Sequence, residues 1–105
     1  IYKVCSFLLK TSKEKKMEKI KITFIDTESH GYYKISKKIF KQLNLDINLF
    51  TNYSFASHTD YFLEEDCDYP TFLNNTNLEI KLELREMNYE KWNMFLEENL
   101  ERIHK

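Results

Sequence analysis

The chain has 105 residues, with 16 basic against 17 acidic side chains and a formal net charge of −1, which is one domain of ordinary size and excludes a two-domain enzyme or a buried cofactor. Leu, Ile, Val and Phe make up 30 of the residues, enough to take the chain out of the disordered class and to build one modest core rich in aromatic rings. No run approaches the roughly 18 apolar residues of a membrane-spanning helix, and Cys5 and Cys67 form neither a C-x-x-C pair nor a disulfide framework, so the expectation is no membrane, no cofactor and a reducing cytoplasm.

Residues 1–9 place Ile1, Val4, Cys5, Leu8 and Leu9 at helical spacing, although their aromatic and β-branched content also allows a strand, and the lysine-rich stretch from Lys10 to Lys16 reads as a charged connector. Met17 opens a fresh pattern, so residues 1–16 are read as a separable leader or extension and 17–105 as a single α+β domain. From Lys19 to Asp26, Ile20, Ile22 and Phe24 alternate with Lys21 and Thr23, the two-residue period of a strand. Asp26 to Gly31 is then a turn, with Gly31 free to adopt positive φ, and Tyr32 to Ile35 is the returning strand.

Ser36 can cap a helix from Lys37 to about Asn44, and Asp46 a short helical turn before a short strand at Tyr53-Ser54-Phe55. Tyr61 to Glu64 is the next strand, after which Asp68 can cap a turn through Pro70. Leu78 to Arg85 alternates four aliphatic with four charged residues, the clearest strand in the chain. Asn88 caps a final helix in which Tyr89, Trp92, Phe95 or Leu96, Asn99 or Leu100, and Ile103 recur at helical spacing, while Glu90, Glu97, Glu98 and Glu101 point outward. These elements make an antiparallel sheet of about four strands with helices packed on one face.

The densest chemistry is Glu64-Glu65-Asp66-Cys67-Asp68, four carboxylates in five positions after an apolar strand. It is open to several readings: a hard-oxygen site for Mg²⁺ or Ca²⁺, although EF-hand spacing is absent; a Cys67 nucleophile with His30 or His58, although neighbouring negative charge disfavours a thiolate; an exposed acidic recognition loop; or a solvated turn. Tyr32, Tyr33, Lys34, Lys37 and Lys38 interleave rings with lysines as single-stranded nucleic-acid binding requires, but Ile35, Ile39 and Phe40 of the same stretch are needed for the core. Charge is also divided along the chain, with eleven lysines and four acids in residues 1–41 and five basic and thirteen acidic residues in 42–105. Such polarity can steer a partner of either sign.

The order His30-Gly31-Tyr32, Leu43-Asn44-Leu45, Tyr53-Ser54-Phe55, then Tyr61 to Asp68 with Phe72-Leu73 resembles a family of small proteins of phages, prophages and conjugative elements that share an HGY, a YSY-like segment and YLEEDCD and carry no assigned activity. The resemblance covers about residues 22 to 73 and implies that His30, Gly31, Glu64, Glu65, Asp66, Cys67 and Asp68 form one shared feature, structural or functional. By analogy with other mobile-element proteins, it leads to the expectation of a non-enzymatic inhibitor of a host defence protein or ribonucleoprotein, of the anti-CRISPR kind. Glu64, Glu65, Asp66 and Asp68, with Glu97, Glu98 and Glu101 of the last helix, would then present spaced negative charge to a basic nucleic-acid channel. The alternatives are a small metal-dependent enzyme or nuclease using the same carboxylates with His30 or His58, and an RNA-binding module.

Overall fold

A computed structural model describes residues 19–104; the helix expected in residues 1–9, the lysine-rich connector and Cys5 lie outside them. The alternating stretch forms β1 (Lys19–Asp26), followed by β2 (Gly31–Ser36), α1 (Lys37–Gln42), a 3-10 turn (Ile47–Leu49), β3 (Phe55–Ala56), β4 (Asp60–Glu64), α2 (Asp68–Asn74), β5 (Glu79–Glu86), α3 (Tyr89–Asn99) and β6 (Glu101–Arg102). The class is α+β as expected, but the strands make one six-stranded mixed sheet of order β5-β1-β2-β4-β3-β6, two strands more than anticipated.

The caps act where the sequence places them. Ser36 accepts from Lys38 N, Asp46 from Asn48 N and Asn88 from Lys91 N. α1 stops at Gln42 because Asn44 turns left-handed at φ 55° and Leu45 N then reaches back to Phe40 O at 3.0 Å, a helix-ending geometry that asparagine tolerates. α3 likewise ends at Asn99, short of Ile103, and after Leu100 the chain forms β6 (Glu101–Arg102).

β1 pairs antiparallel with β2, from Thr23 opposite Lys34 to Asp26 opposite Gly31, and parallel with β5 from Lys19 opposite Glu79 to Asp26 opposite Glu86. A parallel neighbour needs a long crossover. Here α2 carries the chain from β4 over β2 and β1 to the edge at β5, and α3 returns it to β6 at the far edge.

The two crossovers run on opposite faces, which corrects the expectation of helices on one side. One core gathers Ile22, Ile35 and Leu63 of the strands with Phe40 of α1, Phe50, and Tyr69 and Phe72 of α2. The other gathers Ile25, Tyr32, Phe55 and Phe62 around Trp92 of α3, with Phe95, Leu96 and Leu100 at its border. Aromatic stacking ties the layers together, Tyr33 on Tyr69 at 3.5 Å between ring centres and Tyr32 on Trp92 at 4.6 Å. Tyr89, expected in the buried stripe of α3, is the first residue of the helix and is exposed.

Candidate functional site

β1, β4 and β5 all run to the same end of the sheet, where β2 begins. The last residue of each is acidic: Asp26, Glu64 and Glu86. Glu28 of the β1–β2 turn and Glu65 and Asp66 after β4 add to them. Three adjoining clefts join these groups: one lined by Asp26, Glu28, Glu86, Met87 and Asn88, one by Phe24, Asp26, Glu28, His30, Gly31 and Glu65, and one of about 400 Å³ by His30, Tyr32, Tyr53, Phe55, Glu64, Asp66, Cys67 and Arg102. His30, Gly31, Glu64, Glu65, Asp66 and Cys67, singled out in the sequence, are thus brought together. Asp26, Glu28, Glu86, Tyr53 and Arg102 were not anticipated, because their nearness follows from strand direction and register.

The turn after β4 is built by its own carboxylates. Glu64 accepts from Asp66 N at 2.9 Å and Cys67 N at 2.8 Å, and Glu65 accepts from Gly31 N at 3.0 Å, clamping this turn to the start of β2. Gly31 is required there by space and does not take positive φ: a Cβ would lie 2.5 Å from Phe24 Cε1 and 3.0 Å from Glu65 Cδ. The left-handed residue of the β1–β2 turn is Glu28, at φ 76°, whose carboxylate in turn accepts from Tyr89 N at 3.0 Å.

Asp68 departs furthest from the sequence reading. Its side chain is 1% exposed, so it belongs to no recognition surface, and Cys67 rather than Asp68 occupies the cap position of α2, without a side-chain cap bond. The buried carboxylate accepts from Thr51 N at 3.0 Å, from Thr51 Oγ1 at 2.8 Å and from Ser54 Oγ. Ser54 Oγ also accepts from Glu64 N at 2.8 Å. A buried charge needs such partners, and the network pins the segment before β3 to both β4 and α2.

Glu98 does not join the acidic end, and Glu101 lies in β6 beside Arg102 rather than on the last helix. Glu98 shares a cleft with Lys34, His58 and Asp60 at the start of β4, whereas the acidic turn follows the end of that five-residue strand, roughly 13 Å away along its axis. The outward face of α3 and the Glu64–Asp68 turn are separate surfaces. His58 is likewise remote from Cys67, and His30 serves its turn through a backbone carbonyl that accepts from Thr27 N at 3.0 Å and Thr27 Oγ1 at 2.7 Å.

Desolvation, then the charges of Glu64, Asp68 and Asp66 and a hydrogen bond to Glu64, push the Cys67 thiol up, away from the thiolate a nucleophile needs. Among the described residues no three His, Cys, Asp or Glu side chains are placed to hold a metal ion. The rings of the lysine-rich stretch are engaged in the cores, Tyr32 by Trp92 and Tyr33 by Tyr69, which leaves their faces closed to a nucleic-acid base. Arg102 lies with its guanidinium 4.7 Å from the Phe55 ring centre and donates to Asn52 O at 2.6 Å, a fixed positive group on the flank of the acidic end. No helix among the described residues is long and apolar enough to cross a membrane. No protein-family model, curated protein or solved structure matches this chain.

Proposed function

We propose that the protein works without chemistry of its own, as a stoichiometric binding protein of a phage or mobile element that occupies a basic nucleic-acid-binding surface of a host defence complex, in the manner of an anti-CRISPR protein. The observation that carries this reading is the gathering of Asp26, Glu28, Glu64, Glu65, Asp66 and Glu86 at one end of the sheet. Carboxylates that accept backbone N–H bonds, as Glu64 and Glu65 do, are held in place while keeping their charge, so they meet a cationic surface already ordered.

The cleft beside Arg102 adds a place for one side chain of the partner. Tyr32, Tyr53 and Phe55 line it together with Glu64, Asp66 and Arg102, so a lysine or arginine entering it lays its stem on the rings and meets two carboxylates against one guanidinium, which already donates to Asn52 O. The acidic surface therefore comprises the strand ends, and excludes Asp68 and the outward glutamates of α3.

The test is capture of defence nucleases and ribonucleoproteins at low and high salt by the native chain and by a chain carrying Asp26→Asn, Glu28→Gln, Asp66→Asn and Glu86→Gln. These amides keep the acceptors that the turn uses, so the fold is retained while charge is removed. Capture is expected to weaken steeply with salt and to fall about tenfold or more in the variant. Equal capture by both chains, unmoved by salt, overturns the proposal.

A further inference from the structure

We infer that β5 pairs with β5 of a second copy of this chain, antiparallel and centred on Leu82, to give a two-fold dimer with one sheet running through both copies. β5 is eight residues long and stands at the edge of the sheet, and among the described residues no strand pairs with its outer side. Natural sheets blunt such edges by making them short or bulged, or by lining them with charge. The other edge follows that practice, since β6 has two residues.

β5 carries Leu82 at 53% and Leu84 at 65% exposure, opposite Ile22 and Phe24 of β1 in register. They continue the apolar face on which Ile80 and Leu78 are partly buried against the core, yet no described helix covers them. Large aliphatic side chains on an unpaired edge point to a strand-shaped partner.

The charges identify that partner. A two-fold axis through the sheet keeps each face on its own side, so facing residues must have the same parity. With Leu82 on the axis, Glu79 faces Arg85 and Lys81 faces Glu83, each pair occurring twice, while Leu82 meets Leu82 and Ile80 meets Leu84 on the other side. Centred on Lys81, the strand sets Lys81 against itself and Glu79 against Glu83; centred on Glu83, it sets Glu83 against itself and Lys81 against Arg85. Centred on Leu84 it sets Leu82 against Glu86.

Of these registers the Leu82 one alone matches every charge on the charged face, Glu79, Lys81, Glu83 and Arg85, while setting Leu82 and Ile80 against aliphatic partners; Leu78 then falls opposite Glu86 at the strand end, and cross-strand pairs of both kinds stabilise a sheet. Glu79 and Glu83 already hold Lys19 and Lys21 of β1 at 3.6 and 3.1 Å, so the partner's Arg85 and Lys81 extend an existing ladder of alternating sign. A guard against association would carry one sign and repel its copy; this strand is complementary to itself. In the dimer the two acidic ends point in opposite directions.

The test uses the full chain with Cys5→Ser and Cys67→Ser. Sedimentation is expected to give a dimer. Adding Leu82→Cys is expected to yield a disulfide-linked dimer under mild oxidation, because residues facing across an antiparallel pair have Cα atoms about 4.5–5.5 Å apart, within disulfide reach. Leu84→Cys is expected to stay unlinked, since its copies stand roughly 13 Å apart along the strands.

Glu83→Lys sets Lys81 against a lysine at both equivalent positions and is expected to weaken the dimer about tenfold or more; Lys81→Glu together with Glu83→Lys is expected to restore it. Circular dichroism and melting of each variant report whether the monomer keeps its fold. A monomer at every concentration, linkage of Leu84→Cys equal to that of Leu82→Cys, or no rescue by the paired reversal overturns the inference.

Discussion

Asp68 sits at the point where three segments meet, and its two oxygens serve Thr51 N, Thr51 Oγ1 and Ser54 Oγ. Asp68→Ala strands the buried Ser54 hydroxyl and the half-buried Thr51 donors and is expected to cost about 2–4 kcal/mol, seen as a lower urea midpoint at unchanged slope. Asp68→Asn keeps one acceptor oxygen, so its loss should be smaller. Nothing in the sequence separates this carboxylate from its three neighbours, of which Glu64 is half-buried and Glu65 and Asp66 are exposed, because its burial depends on Thr51 and Ser54, fourteen or more residues away. Cys67 gives a second expectation. With its thiol pushed up in the folded state, the neutral form is favoured, and the stability this adds is present at neutral pH and lost as pH rises through the folded value. In a Cys5→Ser chain, iodoacetamide should therefore modify native Cys67 more slowly near pH 8 than the urea-unfolded chain, and Asp66→Asn should narrow that gap.

Among the elements, α3 owes its first turn to Asn88, whose side chain accepts from Lys91 N at 2.8 Å. Asn88→Ala is expected to cost about 1 kcal/mol by thermal or urea unfolding, and Asn88→Asp to cost little. Caps and alternation are local, and β1, the Ser36, Asp46 and Asn88 caps and the core role of Trp92 were legible for that reason. Two-faced burial was written more faintly. Phe24-Ile25, Tyr32-Tyr33 and Tyr61-Phe62-Leu63 set apolar residues side by side in three strands, which a strand covered on one face has no use for. The structure divides each run between the layers, Tyr33 and Leu63 to one and Ile25, Tyr32 and Phe62 to the other. The parallel pairing of β1 with β5 had no local signal at all, since a period of two records which way a side chain points and says nothing of the neighbouring strand. Glu86 joins Asp26 through that pairing and was hidden with it, whereas Asp26, Glu28 and Glu65 meet through the antiparallel neighbours of β2.

Across the whole molecule, a net charge of −1 conceals two poles. Carboxylates crowd the end where β1, β4 and β5 finish, and Lys37, Lys38 and Lys41 of α1 lie past the opposite end, where β2 finishes. Such a molecule is expected to be retained at low salt by both anion- and cation-exchange resins near neutral pH, and the four-amide variant to lose retention on the anion exchanger alone. Loss on both resins, or on neither, would show that the poles do not act separately. The order of the strands has a consequence for synthesis. β1 obtains its second neighbour only from residues 79–86, and β3 obtains one of its own only from Glu101 and Arg102. At translation rates of roughly 5–20 residues per second, the newborn hairpin of β1 and β2 waits for seconds with an open flank. A ribosome pausing between α2 and β5 lengthens that interval, and with it the opportunity for chaperones and proteases to seize the nascent chain.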